Sequence, residues 1–198
     1  MTISICNALE VSPQAWRNGG GQTRELLAWP DAVDWQIRIS LADIDTEGIF
    51  SAFPNTLRWF SVIEGRGINL NFEGENLTQT LMSNSLKFDG SQTPYCTLID
   101  GSTRDLNLMV KSNDSSDGDI QMIRDAGPWH SNCRVRAMLT TTSGIWSDTR
   151  QSQRLKPYDF LWSVQKNILP WTFLAENPLS SQNGSAWWLS ANHSQTAL

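Results

Sequence analysis

At roughly 150 residues per domain, a chain of 198 residues is one compact unit or two small ones. Hydrophobic residues make up 39% and charged residues 18%, which excludes a disordered chain. The net charge of −5 argues against nucleic-acid contact, because that contact needs a concentrated Lys/Arg surface. The charge is uneven: residues 1–119 hold 8 basic and 16 acidic side chains and residues 120–198 hold 7 and 4, so the two parts are expected to attract and pack together.

Residues 1–16 lack a positive leader followed by an apolar run, and no stretch approaches the roughly 18 apolar residues that span a bilayer. A cytoplasmic, membrane-free protein is expected. Cys6, Cys96 and Cys133 are odd in number and far apart, as suits reduced thiols. Next comes the densest polar cluster, residues 16–25 (WRNGGGQTRE). Three successive glycines suit a loop that needs positive φ or close backbone approach, with its N–H groups turned to an anion; a flexible turn is the plainer alternative.

Residues 35–41 (WQIRISL) alternate apolar and polar side chains, which predicts a strand with Gln36, Arg38 and Ser40 on one face. Residues 57–63 and 68–72, joined by Glu64-Gly65-Arg66-Gly67, predict a hairpin. Further strands are predicted at 77–82, 95–99, 105–110, 134–140, 160–164 and 186–190. A short helix fits best after Pro157 or over residues 167–174. Residues 112–119 (SNDSSDGD) contain no apolar side chain and read as a solvated connection. Their aspartates lack the glycine and the closing glutamate of a calcium loop. The ten tryptophans are expected mainly in the core, with Trp187 and Trp188 on opposite faces of one strand. Many short strands separated by turns make an all-β sandwich or barrel.

His130 and His193 are the only histidines and form no metal-ligand pattern; serine-hydrolase, phosphate-loop and dinucleotide fingerprints are all missing. No metal and no cofactor is expected. Arg38 and Ser40 share a face of their strand, as do Asp105 and Asn107, so both pairs can point into a barrel and converge on a small-molecule site. The alternative is a structural ion pair, Arg38–Asp105 or Arg58–Asp105.

Residues 16–25 (WRNGGGQTRE), 35–43 (WQIRISLAD), 48–53 (GIFSAF), Arg58 with 62–67 (VIEGRG), 88–90 (FDG) and 101–109 (GSTRDLNLM) together resemble the HutD/Ves family, over about residues 10–110. The resemblance implies a bicupin with two jelly-roll (RmlC-like) β-barrel halves, residues 1–111 and 120–198, joined by residues 112–119. It also implies roles in histidine utilisation or in environmental and cold stress, and a small anionic metabolite such as formylglutamate as ligand. In cupins a ligand glutamate lies seven places before the glycine that ends the first motif. Counting back from Gly65 gives Arg58, and the upstream histidines would fall at residues 51–54, where there are none. The barrel is therefore expected to be metal-free, with Arg58 supplying positive charge to a ligand carboxylate.

The expected binding residues are Arg58, Arg38, Ser40, Asp105, Asn107, Trp16, Asn18, Thr23 and Arg24. For Trp16 and Asn18 the alternative is a role in pinning the N-terminal loop; for Thr23, Arg24 and Glu25 it is an edge-strand contact. The competing function is a metal-independent isomerase or lyase using Asp105 or Glu25 as base. A homodimer is expected by analogy with other cupins.

Overall fold

The computed structural model describes residues 2–166, 168–177 and 185–193. Its strands are, in chain order, β1 (Ser4–Asn7), β2 (Gln14–Ala15), β3 (Gly21–Trp29), β4 (Ile37–Ile44), β5 (Gly48–Ile49), β6 (Thr56–Glu64), β7 (Ile68–Phe72), β8 (Glu75–Gln79) and β9 (Leu86–Asp89). There follow β10 (Tyr95–Leu98), β11 (Thr103–Lys111), β12 (Asp117–Met122), β13 (Val135–Thr140), β14 (Gly144–Ser147), β15 (Ser152–Leu155), β16 (Asp159–Ser163), β17 (Thr172–Ala175) and β18 (Ala186–Asn192). Among the described residues there is no helix, and none long and apolar enough to cross a membrane. Where a helix was expected, β16 and β17 stand instead; Asn167 lies outside the described residues. The reason is visible in β16, where the neighbours Phe160 and Leu161 enter two different cores. That is a strand buried on both faces, with a period of two.

A six-stranded sheet, β2-β3-β4-β11-β6-β9, faces a four-stranded sheet, β5-β10-β7-β8. Phe60, Val62, Ile68, Leu70 and Cys96 fill part of the space between them. A five-stranded sheet, β1-β16-β13-β18-β12, faces a three-stranded one, β15-β14-β17, around Met138, Trp146, Leu161, Trp171 and Trp188. The wiring repeats: β4-β11-β6-β9 recurs as β12-β18-β13-β16, and β10-β7-β8 recurs as β17-β14-β15. The N-terminal β1 is an addition to the second pattern, pairing with β16 from Ser4↔Trp162 to Asn7↔Asp159. The connection read at residues 112–119 is already strand β12 from Asp117.

The six- and five-stranded sheets pack back to back. Ile37, Ile39, Leu41, Trp59, Leu106 and Leu108 from one meet Ile120, Val135, Leu139, Phe160, Trp187 and Leu189 from the other. Charge asymmetry is therefore not what joins them; the seam is apolar, and its strength scales with the apolar area removed from water. Trp187 lies in this seam while Trp188 lies in the core on the other side of its sheet. At the seam's edge Arg104 pairs with Asp43 at 2.5 Å and Glu64 at 2.7 Å, and donates to the Tyr158 hydroxyl at 3.0 Å. The same hydroxyl donates to Glu64.

The hairpin expected between residues 57–63 and 68–72 does not form, because β6 belongs to the six-stranded sheet and β7 to the four-stranded one. Residues 64–67 turn the chain from one facing sheet to the other, and β7 pairs instead with β8, from Ile68↔Gln79 to Phe72↔Glu75. Gly67 has φ +108° in that turn, and a Cβ on it would stand 2.3 Å from the Gln79 carbonyl oxygen.

Candidate functional site

Alternation along three adjacent strands builds the site. On β4, Arg38, Ser40 and Ala42 line a cavity while Ile37, Ile39 and Leu41 enter the seam. On β11, Asp105, Asn107 and Met109 line it while Leu106, Leu108 and Val110 enter the seam. The register sets Met109 between Arg38 and Arg58, and places Asn107 opposite Ser40. The cavity measures about 470 Å³, within the range of small-molecule sites. Phe50 and Phe53 from the segment after β5 close one side, and residues 14–18, including Trp16 and Asn18, lie across another.

Neither of the ion pairs weighed from the sequence forms. Arg38 pairs with Glu25 of the neighbouring β3, Nε to Oε2 at 2.7 Å. Arg58 makes no ion pair among the described residues: it donates from Nη2 to Asn107 Oδ1 at 3.0 Å and from Nη1 to the Ser51 carbonyl at 3.3 Å. Its guanidinium lies 5.5, 5.4 and 4.9 Å from the ring centres of Phe50, Phe53 and Phe88. Those rings offer their negative faces but no countercharge. Arg58 is only 5% exposed, and burial, assisted by repulsion from Arg38 and opposed by Asp105, brings its pKa down to about 10.

Asp105 is 1% exposed. Burial pushes its carboxyl up to about 8, with Asp43 adding to the rise and Arg58 and the Asn107 amide opposing it. Asn107 donates from Nδ2 to Asp105 Oδ1. Two buried polar atoms on the cavity residues have no hydrogen-bond partner among the described residues, Arg58 Nε and Asp105 Oδ2.

At the rim, Trp16 donates from its indole nitrogen to Thr23 Oγ1 at 2.7 Å, and Asn18 Oδ1 accepts the Gly20 N–H at 3.1 Å. The glycine run serves close approach, since a Cβ on Gly21 would lie 2.1 Å from the Asp43 carbonyl oxygen and 3.2 Å from the Trp16 ring. Gly21 opens β3, and its pairing with Ile44 brings the two backbones together.

Eight of the nine expected binding residues line the cavity; Arg24 does not. It is adjacent to Thr23 on a strand, so it faces the opposite side, where Asp43 holds it at 2.7 Å. Sequence reasoning missed Phe50, Phe53 and Phe88 as the surroundings of the guanidinium, although all three fall inside the quoted motifs. Among the described residues no three His, Cys, Asp or Glu side chains gather as metal ligands.

Comparison with known proteins adds relatives to this geometry. The HutD family model matches residues 8–180. The chain is 32% identical over 111 residues to an uncharacterised 21.2 kDa protein in the hutC 3′ region of Pseudomonas putida, covering 54% of this chain and 57% of that protein. It is 31% identical over 159 residues to protein Ves of Escherichia fergusonii, covering 71% and 81%. The match thus spans a little over half the length of the first relative and most of the second. Among solved structures, HutD of Pseudomonas fluorescens SBW25, in a formate condition, superposes with TM-score 0.81 at 23% identity over 98% of this chain and 100% of that one. Protein YlbA of Escherichia coli does so with TM-score 0.69 at 8% identity over 99% and 93%. The fold is that of the cupins.

Proposed function

The chain belongs to the HutD family, and from that membership and the chemistry of the cavity we propose that it is a metal-free bicupin that captures a small carboxylate without transforming it. The observation that carries this reading is Arg58, a buried guanidinium facing a cavity with no ion-pair partner among the described residues. A charge withdrawn from water is costly until an opposite charge joins it. An entering carboxylate supplies that charge and accepts a charge-assisted N–H bond from the guanidinium. Arg38, already bonded to Glu25, and the Ser40 hydroxyl offer further contacts, and Trp16, Asn18 and Thr23 shape the entrance.

The repeated strand wiring supports the two-barrel description. A relative named for its place beside hutC and a family structure obtained in a formate condition support a short acid from histidine breakdown, such as formylglutamate, as ligand. The physiological setting proposed is regulation of histidine catabolism or an environmental stress response, in the cytoplasm and as a homodimer.

Titration calorimetry and thermal melting with formylglutamate, urocanate and short mono- and dicarboxylates test the proposal. Saturable binding that weakens at least about tenfold in Arg58→Met supports it; no heat and no stabilisation with any of them overturns it. A second reading, a metal-independent isomerase or lyase, draws on the buried Asp105 carboxyl as base, since Glu25 is engaged by Arg38. Turnover of a panel acid that Asp105→Asn abolishes at unchanged affinity would favour it.

A further inference from the structure

The cavity floor holds an arrangement that attraction between charges does not use. Asn107 is oriented from both sides: its oxygen accepts from Arg58 and its NH₂ donates to Asp105 Oδ1. Turned over, it would set NH₂ against the guanidinium and oxygen against the carboxyl. What remains is Arg58 Nε and Asp105 Oδ2, both buried, both without a hydrogen-bond partner among the described residues, and both on residues that line the cavity. Unpaired polar atoms shut away from water are costly, and on a cavity wall they mark contacts left for an occupant.

We propose that Asp105 meets the bound carboxylate as a carboxylic acid, its Oδ2–H donating to one ligand oxygen while Arg58 donates to the other. This rests on the carboxylate-binding reading of the cavity and adds the protonation state in which the site works. An ionised Asp105 would confront the anion charge to charge and bring a second acceptor where only donors are useful.

The groups facing Asp105 come from several strands. Arg58 reaches it from β6, Arg38 from β4 with Glu25 of β3 attached, Cys96 from β10, and Asp43 acts on it from the reverse face of β4, where Arg104 holds that carboxylate. Burial outweighs Arg58 and pushes the Asp105 carboxyl up to about 8, while Cys96 is pushed up to about 12 and Arg58 comes down only to about 10. Of these three, Asp105 is the one that changes charge between about pH 6 and about pH 9.

Formate is a suitable probe, because it remains an anion throughout that range and carries no donor of its own. Its dissociation constant, measured by calorimetry or NMR titration, should stay level up to about pH 8 and then climb about tenfold per pH unit. In Asp105→Asn an N–H replaces the acid proton at every pH, so the constant should vary less than about threefold over the same span. Calorimetry of the unaltered protein in two buffers of different ionisation enthalpy, at about pH 9, where the free Asp105 carboxyl is about nine-tenths ionised, should count close to one proton taken up per formate bound. That measurement stands even if the variant fails to fold. Formate binding that is level across the range, or a proton count near zero, overturns the proposal while leaving carboxylate capture intact. Absence of binding by every acid at every pH overturns both.

Discussion

Replacing Arg58 by methionine separates a binding cation from a structural one. The thioether chain fills much of the guanidinium's place among Phe50, Phe53 and Phe88 and packs well against ring edges. What disappears is the charge, a hydrogen bond to Asn107 and one to the Ser51 carbonyl. Orphaning the Asn107 oxygen costs about 1–2 kcal/mol, and relieving a buried cation of its desolvation offsets a similar amount. Unfolding free energy in urea should therefore move by less than about 1.5 kcal/mol. Ligand affinity should fall much further: a hydrogen bond to a charged group contributes about 1.5–3 kcal/mol, or roughly 10- to 150-fold in the dissociation constant. Titration calorimetry with the tightest acid of the panel, beside urea unfolding of the free protein, reads both quantities. Affinity within threefold of the unaltered protein, or a stability loss beyond about 3 kcal/mol, would refute the assignment of Arg58 to the ligand.

Asp105→Asn should also change stability with a definite sign. The folded carboxyl is raised to about 8, so its contribution is fully present below the unfolded value of about 3.9 and is lost as pH climbs towards 8. The variant should thus be more stable than the parent at pH 7 and lose that advantage near pH 4, as followed by urea unfolding across pH. Asp43 behaves oppositely: bonds from Arg104, Arg24 and Gln22 hold its carboxyl below the usual range in spite of burial. Its stabilisation is present above the unfolded value and lost as pH falls through the folded one, and Asp43→Asn should flatten acid unfolding below about pH 4. Gly21→Ala drives a methyl group into the Asp43 carbonyl and should cost more than about 2 kcal/mol, read from thermal melting, together with loss of ligand binding as β3 moves off β4.

Most of this architecture was legible where one face of a strand is apolar and the other is not. The alternation in residues 35–41 placed Arg38 and Ser40 on a common face, and that of β11 did the same for Asp105 and Asn107, because a pleated strand leaves no other arrangement. The strand β3 was not legible, since its start looks like a polar, glycine-rich loop. Had Thr23 and Arg24 been read as strand neighbours, parity alone would have sent Arg24 away from the cavity. Partners of charges were the other blind spot. Nothing in the linear order says that Arg38 would choose Glu25 over Asp105, since that depends on the register of β3 against β4 and its shift between Glu25 and Leu27. The rings around Arg58 arrive partly from the irregular segment after β5, which has no period to read.

The sheet that carries the cavity is a party wall. On β4 the even-numbered positions 38–42 look into one room and the odd-numbered positions 37–41 are mortared to the neighbouring one; on β11 the parity is reversed. Recognition can therefore drift from one guest to another by exchanging alternate residues while the masonry stays untouched. A one-residue slip of β4 or β11 would lose both at once, turning its mortar into the room and its contacts into the joint.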